Sequence, residues 1–271
     1  SFQRGQGAAD HTAAGSVNHG YLLLFVWSVQ LMSASIPIVF VHGLIGTLQV
    51  PDLSIHLGPT PMLAPDLLGY GDLKDVPADE VNLMAQVAHL DQVMRRSFGD
   101  EPVHLVGHSV GGAIAALFAH GYPDRIVDLV SVEGNFTLKD AFWSASVARM
   151  SQEEVEAMLE SFRADPAAWL ARAGVSPEPP LVEIAARYLS QQPASTVHAM
   201  ARSVIEETGS PGYLPKLRDV FSHRRVHLLA GERSRPGWDV QDWALRQASS
   251  IAVIPGTGHM MMLEQPHAFA A

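Results

Sequence analysis

Hydrophobic positions along this chain follow two alternating patterns, and a third interrupts them. Short unbroken apolar runs, closed by glycine or polar residues, recur at residues 36–41, 102–106, 126–132, 226–230 and 251–254. Runs of that length, rich in β-branched residues, predict strands buried on both faces of a parallel sheet. Residues 61–66 predict one more strand, although Pro61 and Pro65 sit poorly in a central position. Between these runs the period changes. Residues 77–98 predict an amphipathic helix, with Leu83, Val87, Leu90 and Met94 on one face, Asp79 and Glu80 in the first turn and Gly99 as the stop. The Ala-rich run 113–119 predicts a helix that ends before Gly121-Tyr122-Pro123. Residues 240–249, and a segment from about Gln265, predict the last two.

The third pattern is a long stretch without strands. From Phe136 to about Leu214, apolar residues such as Val147, Val155, Met158, Leu159 and Phe162 recur at helical spacing, and residues 166–173, 181–189 and 196–208 predict further helices separated by prolines. Strands alternating with helices predict an α/β fold, a mostly parallel doubly wound sheet with helices on both faces. The all-helical stretch then reads as an insertion over one edge. The expected organisation is an α/β core at 32–135 and 215–271, a helical insertion at 136–214, and an N-terminal leader or edge segment at 1–31.

That leader has its own pattern. Residues 1–18 are polar and Gly/Ala-rich without a period, and read as poorly ordered. Residues 21–31 (YLLLFVWSVQL) are apolar but too short for a membrane span. With Ser33-Ala34-Ser35 behind them they mimic a signal-peptide core and its cleavage site, but Arg4, the one preceding basic residue besides histidines, lies far upstream. The expectation is one or two strands leading into the sheet; a start at Met32 is the alternative.

Composition narrows the function classes. Hydrophobic residues make up 47% and charged residues 17%, a balance that supports a packed core and argues against disorder. The net charge of −10 opposes contact with phosphate backbones, so no nucleic-acid partner is expected. The absence of cysteine excludes disulfides, thiolate metal sites and a cysteine nucleophile. Thirteen histidines are scattered without metal-ligand spacing, so neither metal nor cofactor is expected. The expected partner is a small-molecule substrate, with no membrane span, and the expected compartment is the cytoplasm. The physiological substrate and the oligomeric state do not follow from the sequence.

The candidate chemistry centres on Gly107-His108-Ser109-Val110-Gly111. The run before it predicts a strand and the run after it a helix. In that context G-x-S-x-G reads as a strained turn lifting a serine hydroxyl above the sheet at a helix N-terminus. A glycine-rich turn carries such a motif by chance often enough that the rest of the chain must decide. His42, Glu133 and the residues after Gly231 also fall just past predicted strand ends, and His259 lies in the loop after the last strand. Ligands of open parallel sheets bind at that rim.

These motifs together resemble the α/β-hydrolase family. Val41-His42-Gly43-Leu44 is similar to its oxyanion loop, Asp66-Leu67-Leu68-Gly69-Tyr70-Gly71 to its D-x-x-G-x-G loop, and Gly107–Gly111 to its nucleophile turn. Gly256-Thr257-Gly258-His259, with Glu264 and Pro266, is similar to its catalytic-histidine segment. The resemblance runs from about Ile36 to the last residue, and the helical stretch matches the family's cap. It implies Ser109 as nucleophile and His259 as general base and acid. It also implies an oxyanion hole built from the backbone N–H groups of Leu44 and Val110. A serine hydroxyl needs such a base, and histidine's intrinsic pKa suits proton shuttling. His42 and His108 are expected to shape the loops.

The acid departs from the family's commoner pattern. Most members carry aspartate after the penultimate strand, where this chain has Ser234. A minority places it after the strand that follows the nucleophile helix, where this chain has Glu133. Glu133 is the expected acid, with Glu232 next and Asp239 or Asp242 after it. Phe136, Phe142, Trp143, Met150 and Met260 are candidates to line an apolar substrate pocket; packing between helices is the competing role for each. The implied reaction is cleavage of a small, fairly apolar carboxylic ester through an acyl-enzyme. Lactone, thioester, amide or carbon–carbon bond hydrolysis, cofactor-free dioxygenation, and ligand reception without turnover are the alternatives.

Overall fold

The computed structural model describes residues 35–271; the readings given above for residues 1–31 and Met32 lie outside the described residues. Six strands form one parallel sheet: β1 (Ile38–Val41), β2 (Met62–Leu63), β3 (Val103–His108), β4 (Ile126–Val132), β5 (Arg225–Gly231) and β6 (Ser250–Ile254). Their spatial order is β2-β1-β3-β4-β5-β6. The chain runs outward from β1 to β2, then crosses back to β3 on the other side of β1. That reversal makes a crevice outside the carboxyl ends of β1 and β3.

Side chains alternate along each strand and divide the core in two. Val39, Val41, Leu105 and Leu129 face one side, packed beneath α2 (Leu83–Phe98), α3 (Val110–Gly121) and α9 (Tyr213–His223). Phe40, Val106 and Val132 face the other, in a cluster shared with α1 (Pro51–Leu57), α11 (Met261–Glu264) and α12 (Pro266–Ala270). α3 is buried from Val110 to Ala119, so its apolar character all round matches a position against β3, β4, α2 and α9. Its start sits hard against β1. A Cβ at Gly111 would overlap the carbonyl oxygens of Val41 and His42, so only glycine permits this approach.

Between β4 and β5 stand α4 (Phe142–Ala148), α5 (Gln152–Ala164), α6 (Pro166–Arg172), α7 (Pro179–Ser190) and α8 (Ala194–Gly209). Val147, Val155, Leu159, Val197 and Met200 from these helices belong to the same buried cluster as Val39 and Leu105 of the sheet. α10 (Asp242–Gln247) links β5 to β6. No helix among the described residues is long and apolar enough to cross a membrane.

Several sequence-based boundaries move. The helix expected from residue 77 begins at Leu83, because the Asn82 side chain accepts from the Ala85 amide and caps it there. Asp79 and Glu80 instead occupy a separate single 3₁₀ turn. The strand expected over 61–66 shrinks to Met62–Leu63 at the sheet edge; Pro65 lies beyond it, and Pro61 contributes only its carbonyl, which accepts from Ile38 N at 2.9 Å. The helix expected over 240–249 shortens to Asp242–Gln247.

Candidate active site

Ser109 is the first residue past β3, with φ 55°. Non-glycine residues are rare in that region. The backbone fixes the turn from both sides: the Ser109 amide donates to Val132 O at 3.0 Å, and the Ser109 carbonyl accepts from Gly112 N at 2.8 Å and Asn135 N at 3.3 Å. Strand β4 therefore registers directly against the turn. His108 pairs with Val132 in the ladder, so the next residues, Ser109 and Glu133, leave the sheet side by side.

Glu133 also has positive φ, 44°, and Ser109 and Glu133 are the two non-glycine residues of this kind among the described residues. Its side chain is buried, with 6% of the residue exposed. Oε2 lies 2.6 Å from His259 Nδ1. Oε1 accepts from the Gly231 amide at 2.9 Å and from the Ser234 hydroxyl at 2.5 Å. Burial pushes this carboxyl up, but the hydrogen bond and charge of His259, then Ser234 and Gly231, outweigh it and hold Glu133 below the usual carboxylate range.

The loop bearing His259 is tied down on three sides. Glu264 accepts from the Gly258 amide at 2.7 Å, and Glu232 from the Gly256 amide at 2.7 Å. Arg233 joins Glu264 at 2.6 Å and also donates to the carbonyls of Gly256 and Gly174. His108 Nε2 donates to the His259 carbonyl at 2.9 Å, and the two rings stand 4.5 Å apart. Burial, then the neighbouring His259, pushes His108 well below the usual histidine range, so its ring is neutral.

The turn after β1 is anchored independently. His42 Nδ1 bonds the Gly43 carbonyl at 2.8 Å, and burial lowers this histidine to about 4. The Tyr70 hydroxyl donates to Leu44 O at 2.9 Å, and Gln192 Oε1 accepts from Gly46 N at 3.0 Å. Leu44 and Val110 are buried, and neither amide has a hydrogen-bond acceptor among the described residues.

Ser109, Glu133, His259, Gly43 and Leu44 line one cavity of about 610 Å³. Phe142, Trp143, Phe162, Trp169, Trp238 and Met260 supply its apolar wall. Of the sequence-predicted pocket residues, Phe142, Trp143 and Met260 reach it and two do not. Phe136 is 2% exposed and packs edge-on against Phe221 and Trp238, and Met150 packs against the sheet-side core. Both take the competing role of packing. Among the other acid candidates, Glu232 is spent on Gly256, Asp239 accepts from the Thr137 hydroxyl at 2.7 Å, and Asp242 is exposed in the first turn of α10. The His259 ring is hydrogen-bonded through Nδ1 to Glu133, and no hydrogen bond joins its Nε2 to the Ser109 hydroxyl in this conformation. A smaller cavity, about 250 Å³, lies on the face of the sheet that carries Phe40 and Val106, where His104 pairs with Asp128 at 2.7 Å.

A family model described as "Alpha/beta hydrolase family" matches residues 38–271. The chain belongs to the alpha/beta hydrolase family. As a member of this family it is 36% identical over 109 residues to Lipase LipV of Mycobacterium tuberculosis, covering 40% of this chain and 38% of that one. It is 34% identical over 117 residues to 1-acylglycerol-3-phosphate O-acyltransferase ABHD5 of Sus scrofa, covering 40% and 33%. These matches span about a third of those relatives' length. Among solved structures, a thermophilic esterase from Thermogutta terrifontis superposes with a TM-score of 0.66 at 22% identity, over 88% of this chain and 87% of that one. MenH from S. aureus gives 0.64 at 20%, over 87% and 90%. At those identities the likeness concerns the alpha/beta hydrolase fold alone.

Sequence reasoning missed the residues that hold the site in shape. Ser234 was noted only for the aspartate it is not. Tyr70 lay inside a motif whose purpose the sequence does not state. Gln192 carried no sequence signal.

Proposed function

We propose that this protein is a serine hydrolase that cleaves small, fairly apolar carboxylic esters through an acyl-enzyme on Ser109. The observation that carries the reading is the 2.6 Å contact between His259 Nδ1 and Glu133, on the wall of the cavity that also holds Ser109. A carbonyl carbon above Ser109 has the Leu44 and Val110 amides available for its developing oxyanion. Such donors are worth about 10²–10³ in rate. His259 Nε2 takes the proton from the Ser109 hydroxyl and returns it to the leaving alcohol, while Glu133 keeps the Nδ1–H tautomer and stabilises the imidazolium. Water then releases the acid by the same steps in reverse. The aromatic wall favours an apolar group on the ester, and relatives named as a lipase and an O-acyltransferase accord with acyl chemistry.

The test is covalent. A fluorophosphonate is expected to label Ser109 alone, and Ser109→Ala to abolish both labelling and turnover of p-nitrophenyl acetate and butyrate. An unlabelled serine together with untouched short-chain esters overturns the reading. A panel of acyl lengths and leaving groups then defines the substrate class.

A further inference from the structure

Glu133 binds His259 through one oxygen and is gripped through the other. Oε2 faces His259 Nδ1, while Oε1 accepts from both the Gly231 amide and the Ser234 hydroxyl. A serine hydroxyl has one proton to give. Two acceptors lie within reach of this one, Glu133 Oε1 at 2.5 Å and Gly231 O at 3.4 Å. The shorter contact, to an ionised group, takes it. Glu133 stands beyond the end of its strand at positive φ, so sheet geometry does not orient its side chain. The donors at Oε1 do.

We propose that Ser234 is a positioning residue: its hydroxyl locks Glu133 Oε1 and so aims Oε2 at His259. This rests on the reading of Ser109, His259 and Glu133 as a triad. Ser234 touches no reacting atom and acts through Glu133. Its hydroxyl is also one of the groups that offset the effect of burial on the Glu133 carboxyl. Removing it weakens the stabilisation of the carboxylate and leaves the Glu133–His259 pair taking up a proton at higher pH.

The test compares Ser234→Ala with Ser234→Thr, which keeps a hydroxyl, in the full chain. Two readouts are used: the pH profile of kcat and kcat/KM on p-nitrophenyl butyrate, and the NMR titration of the His259 ring, which needs no substrate. In Ser234→Ala, kcat is expected to fall about tenfold with KM within about twofold, as for a lost hydrogen bond to a charged group. The acid limb of kcat/KM and the ring titration are both expected to move to higher pH. Ser234→Thr is expected to overlay the parent. If Ser234→Ala does not fold, Ser234→Cys fills the same space with a weak donor and must show the same displacement. A fall that is uniform at every pH, with the ring titration unmoved, reduces Ser234 to packing and overturns the proposal. If the parent protein turns over no ester, the hydrolase reading fails, and the ring titration alone still decides for or against Ser234.

Discussion

Replacing Glu133 by glutamine tests the site most sharply, because the structure dictates which way the new amide must point. Oε1 sits between two donors, the Gly231 amide and the Ser234 hydroxyl. A glutamine NH₂ placed there would face the Gly231 amide hydrogen at 2.9 Å and lose that bond, since a backbone N–H can only donate. The glutamine oxygen therefore takes the Oε1 place, and its NH₂ takes the Oε2 place, 2.6 Å from His259 Nδ1. The ring must then present Nδ1 as an acceptor and carry its proton on Nε2, toward Ser109. A ring in that tautomer cannot accept the serine proton. The corresponding change in serine-protease triads costs about 10⁴ in kcat, or about 5 kcal/mol of barrier. The same order is expected here, with KM little changed and the fold intact by circular dichroism. Glu232→Gln is the control: its oxygen still accepts from the Gly256 amide at the surface, and kcat should change by about twofold or less. The assay is kcat on p-nitrophenyl butyrate, paired with the rate of fluorophosphonate labelling. A Glu133→Gln enzyme that keeps more than a tenth of its kcat, or a large loss confined to Glu232→Gln, would refute the reasoning.

Other consequences are equally concrete. Tyr70→Phe removes the donor to Leu44 O; an unpaired buried acceptor costs about 1–3 kcal/mol, so thermal stability should drop and kcat should fall about tenfold as the Leu44 amide loses its alignment. An unchanged kcat would separate Tyr70 from the loop it binds. Gly111→Ala forces a methyl group into the carbonyls of Val41 and His42, and overpacking of about 1–3 kcal/mol should lower Tm by about 3–10 °C in a thermal melt; an unaltered Tm contradicts the close approach of α3 to β1. Asp140 gives a pH signature: burial lifts its carboxyl from 3.8 to about 6, despite hydrogen bonds from Phe136, Thr137 and Asn135. The folded state thus holds this proton to higher pH than the unfolded chain does. The stability this provides is complete below pH 4 and is lost as pH rises through 6, on the order of 3 kcal/mol. Asp140→Asn should therefore gain Tm relative to the parent as pH climbs from 4 to 7, and a pH-independent difference would count against it.

Much of the frame was legible because its signals are local. Buried strands announce themselves as unbroken apolar runs, and the residue after each run marks the rim. Ser109, Glu133, His259 and the Leu44 loop were placed in this way, and the structure brings them to one cavity. What escaped depended on distance in the chain. Glu133 and Glu232 are both carboxylates past a strand end, and only the ladder pairing His108 with Val132 seats Glu133 next to Ser109. Phe136 and Phe142 are both aromatic residues at the start of the helical stretch. A turn fixed by the Asp140 side chain, which accepts from the Phe136 and Thr137 amides, separates them: Phe136 is buried in the core and Phe142 lies on the cavity wall. The helix expected from Pro77 starts late because one side-chain hydrogen bond at Asn82 overrides a run of favourable composition.

The two left-handed residues at the rim set stability against chemistry. Ser109 and Glu133 each hold a conformation that costs a non-glycine residue about 1–3 kcal/mol. Glycine at either position relieves that cost at once and removes the group on which the proposed reaction depends. At 109 the exchange is strain against a hydroxyl; at 133 glycine would also leave the Gly231 amide without the acceptor it now has, so there the backbone cost is offset by hydrogen bonds. Serine at 109 and glutamate at 133 are thus held against the grain of the backbone, at the two positions the proposed reaction requires.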